Sequence, residues 1–356
     1  MKQTQDLHVL DAIPLIPPSE IKRELPMTER AAETVIQGRH AIKCMLRGKD
    51  DRFLVIVGPC SIHDEAAALE YADRLRQLQE AVLDRIFIVM RVYFEKPRTV
   101  IGWKGLIYDP ALDGSGDIAH GIRKARRILT RITDLGLSAA TEFLDPIVPQ
   151  YLADLITWAA IGARTTESQT HREMSSGLSM PVGYKNSTEG NLQIAVDAMN
   201  SARSPHTFLG INQEGQTAII RTIGNVWGHI ILRGGRHGTN YDRASIAHTK
   251  KILAATNLCQ SIMVDCSHAN SAKDYTRQEA VLREVISHRL DRGEPILGVM
   301  LESNLFEGHQ PIPKDVSHLR YGVSITDACI GWETTERILM ETYDRLKEHE
   351  QLVSSP

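Results

Sequence analysis

Eight short apolar runs recur along the chain, each followed by a longer segment of helical period. They are FLVIVG (53–58), IFIVMRVY (86–93), LSAATE (137–142), IGARTT (161–166), VGYK (182–185), HIILR (229–233), IMVDCS (262–267) and ILGVMLES (296–303). Strands that are apolar without alternation are buried on both faces, as happens when the helices that connect parallel strands also cover them. Helices are expected near 64–80, 117–135, 148–160, 189–202, 243–256, 275–292 and 334–348; in the last, Ile338, Leu339, Tyr343 and Leu346 fall at helical spacing. Eight repeats of this kind favour an α/β fold closed into a (β/α)8 TIM barrel, with an open doubly wound sheet as the alternative. No fixed self-similarity of solenoid length is present.

Two segments stand outside the repeat. Residues 1–50 precede the first strand, with Pro14, Pro17 and Pro18 interrupting an arm before a helix expected at 28–47. That arm should pack on the barrel, residues 51–350, or on a partner subunit. HTFLGINQEGQTAIIRT (206–222) alternates apolar and polar residues around Gln213-Glu214-Gly215-Gln216 and reads as an inserted two-stranded hairpin. An isolated hairpin is marginal in water, so this one needs a support.

Composition excludes several function classes. With 42% apolar and 24% charged residues the chain is an ordinary globular one. The five cysteines, Cys44, Cys60, Cys259, Cys266 and Cys329, form no C-x-x-C pair. An odd, scattered set points to the reducing cytoplasm rather than to a disulfide framework. The N-terminus lacks the apolar core of a signal peptide, and no run approaches the roughly 20 apolar residues of a spanning helix, so no membrane is expected. A net charge of -3 without like-charged blocks disfavours a nucleic-acid partner.

In such a barrel the working residues sit at the C-terminal strand ends. Here those ends carry Cys60, Arg91 (running on to Lys96 and Arg98), Glu142, Arg164, Lys185, Arg233, Asp265 (with His268 beyond) and Glu302. Taken singly, Lys185 reads as a solvated loop lysine and Cys60 as a small buried hydrophobe; the set carries the inference. Six cations, Arg91, Lys96, Arg98, Arg164, Lys185 and Arg233, gathered at one mouth of an acidic protein call for polyanionic ligands, phosphates above all. Thiolate, imidazole and carboxylate from Cys60, His268 and Glu302, with Asp327 in SITDA as a further candidate, suit a first-row divalent metal.

GPCSIH (58–63), KPRT (96–99), GWKGL (102–106), IGARTTESQTHRE (161–173), PVGYKN (181–186), RGG (233–235), DCSHANS (265–271) and SITDACIGWE (324–333) occur in this order. Together they resemble the class I 3-deoxy-D-arabino-heptulosonate 7-phosphate (DAHP) synthases. The resemblance implies a barrel assembled as a homodimer or homotetramer, and a metal-dependent condensation of phosphoenolpyruvate with erythrose 4-phosphate and water. That reaction opens the shikimate route to the aromatic amino acids. The resemblance places one divalent ion (manganese, iron, cobalt or zinc) on Cys60, His268, Glu302 and Asp327. It places phosphoenolpyruvate on Arg91, Lys96, Glu142, Gly162, Ala163, Arg164, Lys185 and Arg233, and erythrose 4-phosphate on Arg98 and Thr99. The bound ion would act as a Lewis acid on the aldehyde oxygen. Lys96 is the expected proton-transfer group, its pKa lowered by neighbouring cations, and Glu142 is expected to orient or activate the water. KNSTEG (185–190) and RGGR replace the usual KNGTDG and RGGK without touching a matched ligand. Two rival readings are the sister enzyme that uses arabinose 5-phosphate, against which Pro97 argues, and a non-catalytic regulatory subunit with the same fold.

The hairpin and arm are left for regulation. The resemblance puts an aromatic amino acid inhibitor between hairpin and barrel, at Pro149, Gln150, Leu178, Ser179, Phe208, Gly210 and Ile211, closed by the arm of a neighbouring subunit. Tyrosine-sensitive members usually have glycine where Gly210 stands and phenylalanine-sensitive ones serine. SQTHREMSSGLSMP (168–181) is also closer to the tyrosine type, so tyrosine is the expected inhibitor.

Overall fold

The computed structural model of the chain describes residues 4–354, so residues 1–3 of the expected arm lie outside the described residues. Two helices come first, α1 (Pro18–Glu24) and α2 (Glu29–Leu46). Strand β1 (Phe53–Gly58) leads through α3 (Glu65–Val82) to β2 (Ile86–Arg91), and α4 (Ile118–Asp134) leads to β3 (Ser138–Glu142). Then follow α5 (Pro149–Leu152), β4 (Trp158–Ile161), α6 (Gln169–Ser176), β5 (Val182–Lys185) and α7 (Gln193–Ala202). The hairpin β6 (Thr207–Ile211) and β7 (Thr217–Arg221) precedes β8 (Gly228–Leu232), α8 (Arg243–Ala255), β9 (Ile262–Asp265), α9 (Gln278–Arg292), β10 (Ile296–Glu302) and α10 (Trp332–Ser354).

All eight barrel strands are parallel and follow chain order around the ring, β6 and β7 apart, until β10 pairs with β1. The closing register sets Leu54 against Gly298 and Gly58 against Glu302. A side chain at position 298 would meet the Leu54 carbonyl oxygen at 1.8 Å, so glycine is what lets the seam close. The strands are buried along almost their whole length, as their unbroken apolar runs require. Leu54, Ile56, Trp158, Ile231, Met263 and Met300 fill the interior, and Ile42 and Met45 of α2 join the same cluster. Gly38 brings α2 against the N-terminal strand ends: a Cβ there would stand 2.4 Å from Ser138 Oγ and 2.7 Å from Thr157 Cγ2. Helix α2 therefore plugs the end of the barrel opposite the strand C-termini.

The fourth strand corrects the sequence reading. It lies at Trp158–Ile161, and Gly162–Thr166 form the turn that follows, closed by Thr166 N–H on the Gly162 carbonyl at 3.0 Å. The helix expected over 148–160 is only α5 and a 3-10 turn (Ala153–Leu155). Its apolar spacing mimics a helix, but Thr157 N–H bonds Ala139 O at 2.8 Å, which starts the ladder, and the Trp158 side chain packs in the barrel interior. Helix α6 was not expected, being short and polar; α1 begins with Pro18 in its first turn, where a missing N–H costs nothing.

The hairpin stands on α1. Ser19 N–H donates to Gln213 O and Lys22 Nζ to Gln213 Oε1, both at 2.8 Å, while Gln213 Nε2 donates to Gln150 Oε1 at 2.7 Å.

Inside the barrel, Trp158 Nε1 donates to His229 Nε2 at 2.9 Å. An indole can only donate, so His229 must be neutral with its proton on Nδ1, which faces Ile230 O at 3.3 Å. Burial lowers its pKa to about 4. Because the folded pKa lies below the unfolded one, the stability involved is present above pH ~6.5 and is lost as pH falls towards about 4. Chemical denaturation at stepped pH should show this as a loss of up to about 3 kcal/mol. His229→Gln, which can still accept from Trp158, should flatten the slope in that window; an unchanged slope would assign the acid sensitivity elsewhere.

Candidate active site

The run GPCSIHDE divides its chemistry among several tasks. Asp64 caps α3 by accepting from Ala66 N and Ala67 N, and Glu65 pairs with Arg127 at 3.0 Å. Ser61 Oγ lies 2.7 Å from Thr326 Oγ1, fixing the loop after β1 to the segment that carries Asp327. Cys60 is fully buried. Its sulfur and donor oxygens of Glu302 and Asp327 all lie within 4.8 Å of one another. Burial raises the thiol pKa, with Glu302 adding to the rise, Lys96 opposing it, Asp327 adding and Arg91 opposing.

His268 stands outside that trio but lines the same cavity as Glu302 and Asp327. Its backbone is left-handed, with φ +58, and its Nδ1 lies 2.9 Å from Asp265 Oδ2. A histidine whose Nδ1 is held by a carboxylate keeps its Nε2 lone pair for a metal. Asp265 also receives Lys185 Nζ at 2.7 Å; His268 and Lys185 hold it well below the usual carboxylate range despite complete burial. Thiol, two carboxylates and an oriented imidazole fit a borderline divalent cation, which would take the thiol proton's place on sulfur.

The expected phosphoenolpyruvate residues Arg91, Lys96, Glu142, Gly162, Ala163, Arg164, Lys185 and Arg233 all line one inner cavity of about 110 Å³. An outer cavity of about 550 Å³ shares Arg164, Arg233, His268, Glu302 and Asp327 with it. Arg91 is buried, with its NH2 3.1 Å from Glu302 Oε1, so it steadies a metal donor as well as facing the cavity. Gly162 is required by Glu142, whose Oε1 would lie 2.1 Å from any Cβ at that position. Arg164 donates to Pro97 O at 3.2 Å, joining the turn after β4 to the KPRT loop. Arg98 lines the inner cavity, whereas Thr99 is exposed and lines neither cavity.

Lys96 reverses the expected direction of its pKa. Burial alone would lower it, but Cys60, Glu302 and Asp327 outweigh burial and the Arg91 charge, and the ammonium is favoured. Its Nζ donates to Cys60 Sγ at 3.0 Å and to Cys60 O at 3.1 Å. The sequence shows the cations around it, not the carboxylates that folding brings nearer.

Three features were not identified from sequence. Tyr93 lines the inner cavity two residues beyond Arg91, a spacing that period two could have flagged. Asp265, noted only as a strand end, orients both Lys185 and His268. Glu95 is buried and accepts from Leu144 N at 3.3 Å and Asp145 N at 3.0 Å, pinning the base of the KPRT loop; burial raises its pKa to about 8.

A separate cavity of about 410 Å³ lies among α1, α2 and α5. It brings together Pro149, Gln150, Leu178 and Ser179 with Lys22 and Arg39. Phe208, Gly210 and Ile211 are on β6 and are not among its walls. A Cβ on Gly210 would stand 2.8 Å from Ile220 Cγ1 across the hairpin.

No helix among the described residues is long and apolar enough to cross a membrane. The chain is 50% identical to the tyrosine-sensitive phospho-2-dehydro-3-deoxyheptonate aldolase of Escherichia coli over 341 residues, 96% of each chain. It is 51% identical to the phenylalanine-sensitive enzyme of the same organism over 345 residues, covering 97% of this chain and 98% of that one. Overall identity thus does not separate the two types. A solved phospho-2-dehydro-3-deoxyheptonate aldolase from Francisella tularensis superposes with a TM-score of 0.93 at 47% identity, over 95% of this chain and 98% of that one. The family described as DAHP synthetase I matches residues 29–340, from the first residue of α2 into α10. With the barrel, the donor trio and the cationic mouth all in place, the chain belongs to the DAHP synthetase I family.

Proposed function

We propose that this chain condenses phosphoenolpyruvate with erythrose 4-phosphate and water, giving DAHP and inorganic phosphate. The observation that supports this most is the meeting of the Cys60, Glu302 and Asp327 donors with six cations at one barrel mouth. Arg164, Lys185 and Arg233 would hold the phosphate of phosphoenolpyruvate, and Arg91 and Lys96 its carboxylate. That would turn the methylene carbon towards the incoming aldehyde, whose phosphate would lie towards Arg98 at the inner cavity and the exposed Thr99 beside it. Cys60, His268, Glu302 and Asp327 would hold a divalent ion (manganese, iron, cobalt or zinc), which when bound would supply Lewis acidity to the aldehyde oxygen. The methylene carbon forms the new bond to the aldehyde carbon, and Lys96, an ammonium, donates a proton to the oxygen that gains charge. Water adds to the carbon left electron-poor, Glu142 accepting its proton, and the hemiketal phosphate expels phosphate. Residues 51–350 would do this work, with residues 1–50 and the hairpin regulating it, in a cytoplasmic homodimer or homotetramer.

Phosphate release from phosphoenolpyruvate, with erythrose 4-phosphate or arabinose 5-phosphate and added manganese, tests the reading. Turnover with the four-carbon sugar only is expected. Turnover with the five-carbon sugar would favour the sister reaction, and none with either a regulatory subunit. Cys60→Ala should lose bound metal and nearly all activity, while Arg164→Ala should cost on the order of 2 to 4 kcal/mol, roughly 30- to 1000-fold in kcat/KM, with little change in melting temperature. Full metal content in the first variant, or unaltered kinetics in the second, would remove that residue from the site.

The cavity at Pro149, Gln150, Leu178 and Ser179 would take an aromatic amino acid, whose carboxylate finds Lys22 and Arg39 at hand. Tyrosine is the proposed inhibitor. Initial rates should fall with tyrosine, less with phenylalanine and negligibly with tryptophan; stronger inhibition by phenylalanine would overturn the assignment. Gly210→Ser should shift preference towards phenylalanine, and because the new side chain presses on Ile220 its effect would travel through hairpin packing.

A further inference from the structure

Five tyrosine hydroxyls lie on largely buried side chains near the barrel, and their bonding differs in one case. Tyr71 donates to Ser303 Oγ at 2.9 Å, Tyr151 to Ile16 O at 2.8 Å, Tyr184 to Ser175 Oγ at 3.0 Å, and Tyr108 to Asp145 Oδ2 at 3.2 Å. The Tyr93 hydroxyl is buried and has no hydrogen-bond partner among the described residues. The same holds for Nε and NH1 of Arg91, whose guanidinium carbon lies 3.9 Å from the Tyr93 ring centroid. Two stacked side chains thus carry three unpartnered polar nitrogen and oxygen atoms, and both line the inner cavity. Buried donors left without partners cost free energy, and proteins seldom keep a cluster of them unless something else supplies the acceptors.

We propose that Tyr93 is a substrate-binding residue: its hydroxyl donates a hydrogen bond to the carboxylate of phosphoenolpyruvate, beside the unpartnered N–H groups of Arg91. This rests on the reading that the inner cavity receives phosphoenolpyruvate. A planar carboxylate presents two oxygens, so it can accept from one guanidinium N–H and from a neighbouring hydroxyl together. Arg164 and Arg233 also line the outer cavity, while Arg91 and Tyr93 line the inner one alone, which places the carboxylate end of the ligand inward. The phenol adds a donor without adding a seventh charge to a mouth already crowded with cations. Its ring also supports the Arg91 guanidinium from one face, a favourable cation–π geometry.

Tyr93→Phe removes the oxygen and keeps the ring. The test compares it with the parent by calorimetric titration of phosphoenolpyruvate into the manganese-loaded protein without sugar phosphate, by steady-state kinetics and by thermal melting. The expected result is a Kd for phosphoenolpyruvate raised roughly 10- to 100-fold, a KM for erythrose 4-phosphate within about twofold of the parent, and a melting temperature unchanged or higher. Tyr184→Phe serves as the contrast, since it breaks a satisfied buried bond: it should melt lower and bind phosphoenolpyruvate as the parent does. Unchanged affinity in Tyr93→Phe with a lowered melting temperature would make the hydroxyl structural. Unchanged affinity with a lowered kcat would place it on the attacking water instead, and either result overturns the proposal. A parent protein that turns over but does not bind phosphoenolpyruvate alone also overturns it, whereas one that neither binds nor turns over fails the reading beneath it.

Discussion

A guanidinium can sit at the floor of a closed barrel only if an opposite charge sits with it. The Arg91–Glu302 pair, 3.1 Å apart and almost fully buried, meets that condition and sets much of what surrounds it. Glu302 ends β10 and Arg91 ends β2, the two neighbours of β1, which leads directly to Cys60. One ion pair therefore spans the closing seam, orients the Glu302 carboxylate and leaves Nε and NH1 of the guanidinium without a partner among the described residues. Lys185–Asp265–His268 repeats the device with other strands, where one carboxylate steadies both an ammonium and an imidazole. Asp265 is engaged behind the groups it steadies, whereas Glu142, Glu302 and Asp327 line the inner cavity beside the cations.

The loops around the mouth are held by backbone bonds rather than by bulk. Glu95 holds the amides of Leu144 and Asp145, Arg164 holds Pro97 O, and Arg98 Nε donates to Trp103 O at 2.7 Å. Lys96 and Arg98 thus project from a loop tied to the segments after β3 and β4. The segment after β3 runs on directly to Pro149 and Gln150 of the cavity of about 410 Å³, so a short stretch of chain links it to Glu142 of the inner cavity.

Much of this was legible in the sequence for a physical reason. Strands buried on both faces leave unbroken apolar runs, and parallel closure puts every run's last residue on one rim, so both the barrel and the roster at its mouth could be read from order and spacing. Failures occurred where tertiary contacts decide. WAAIGART has its strand at Trp158–Ile161 because Trp158 fills the interior, yet the small residues after Ile161 look equally extended on paper. Lys96 has Arg91 and Arg98 near it in sequence, but in space Cys60, Glu302 and Asp327 outweigh the Arg91 charge, which inverts the sign of its shift. Tyr93 merely ends the apolar run IFIVMRVY on paper, since a hydroxyl without a partner has no signature in one dimension.

Closing the ring on β1 and β10 carries a consequence for how the molecule is made. Leu54 pairs with Phe87 on one side but finds its other partner only at Gly298, so one edge of the first strand stays open during synthesis until β10 has left the ribosome. Helix α2 emerges earlier still, yet it docks on strand ends at Ser138 and Thr157. Contacts so distant in sequence make for slow closure, and FLVIVG is a long apolar edge while it waits. The nascent chain must therefore keep its first strand from pairing with a neighbour's, and crowded translation of this sequence is the condition under which that restraint is hardest to maintain.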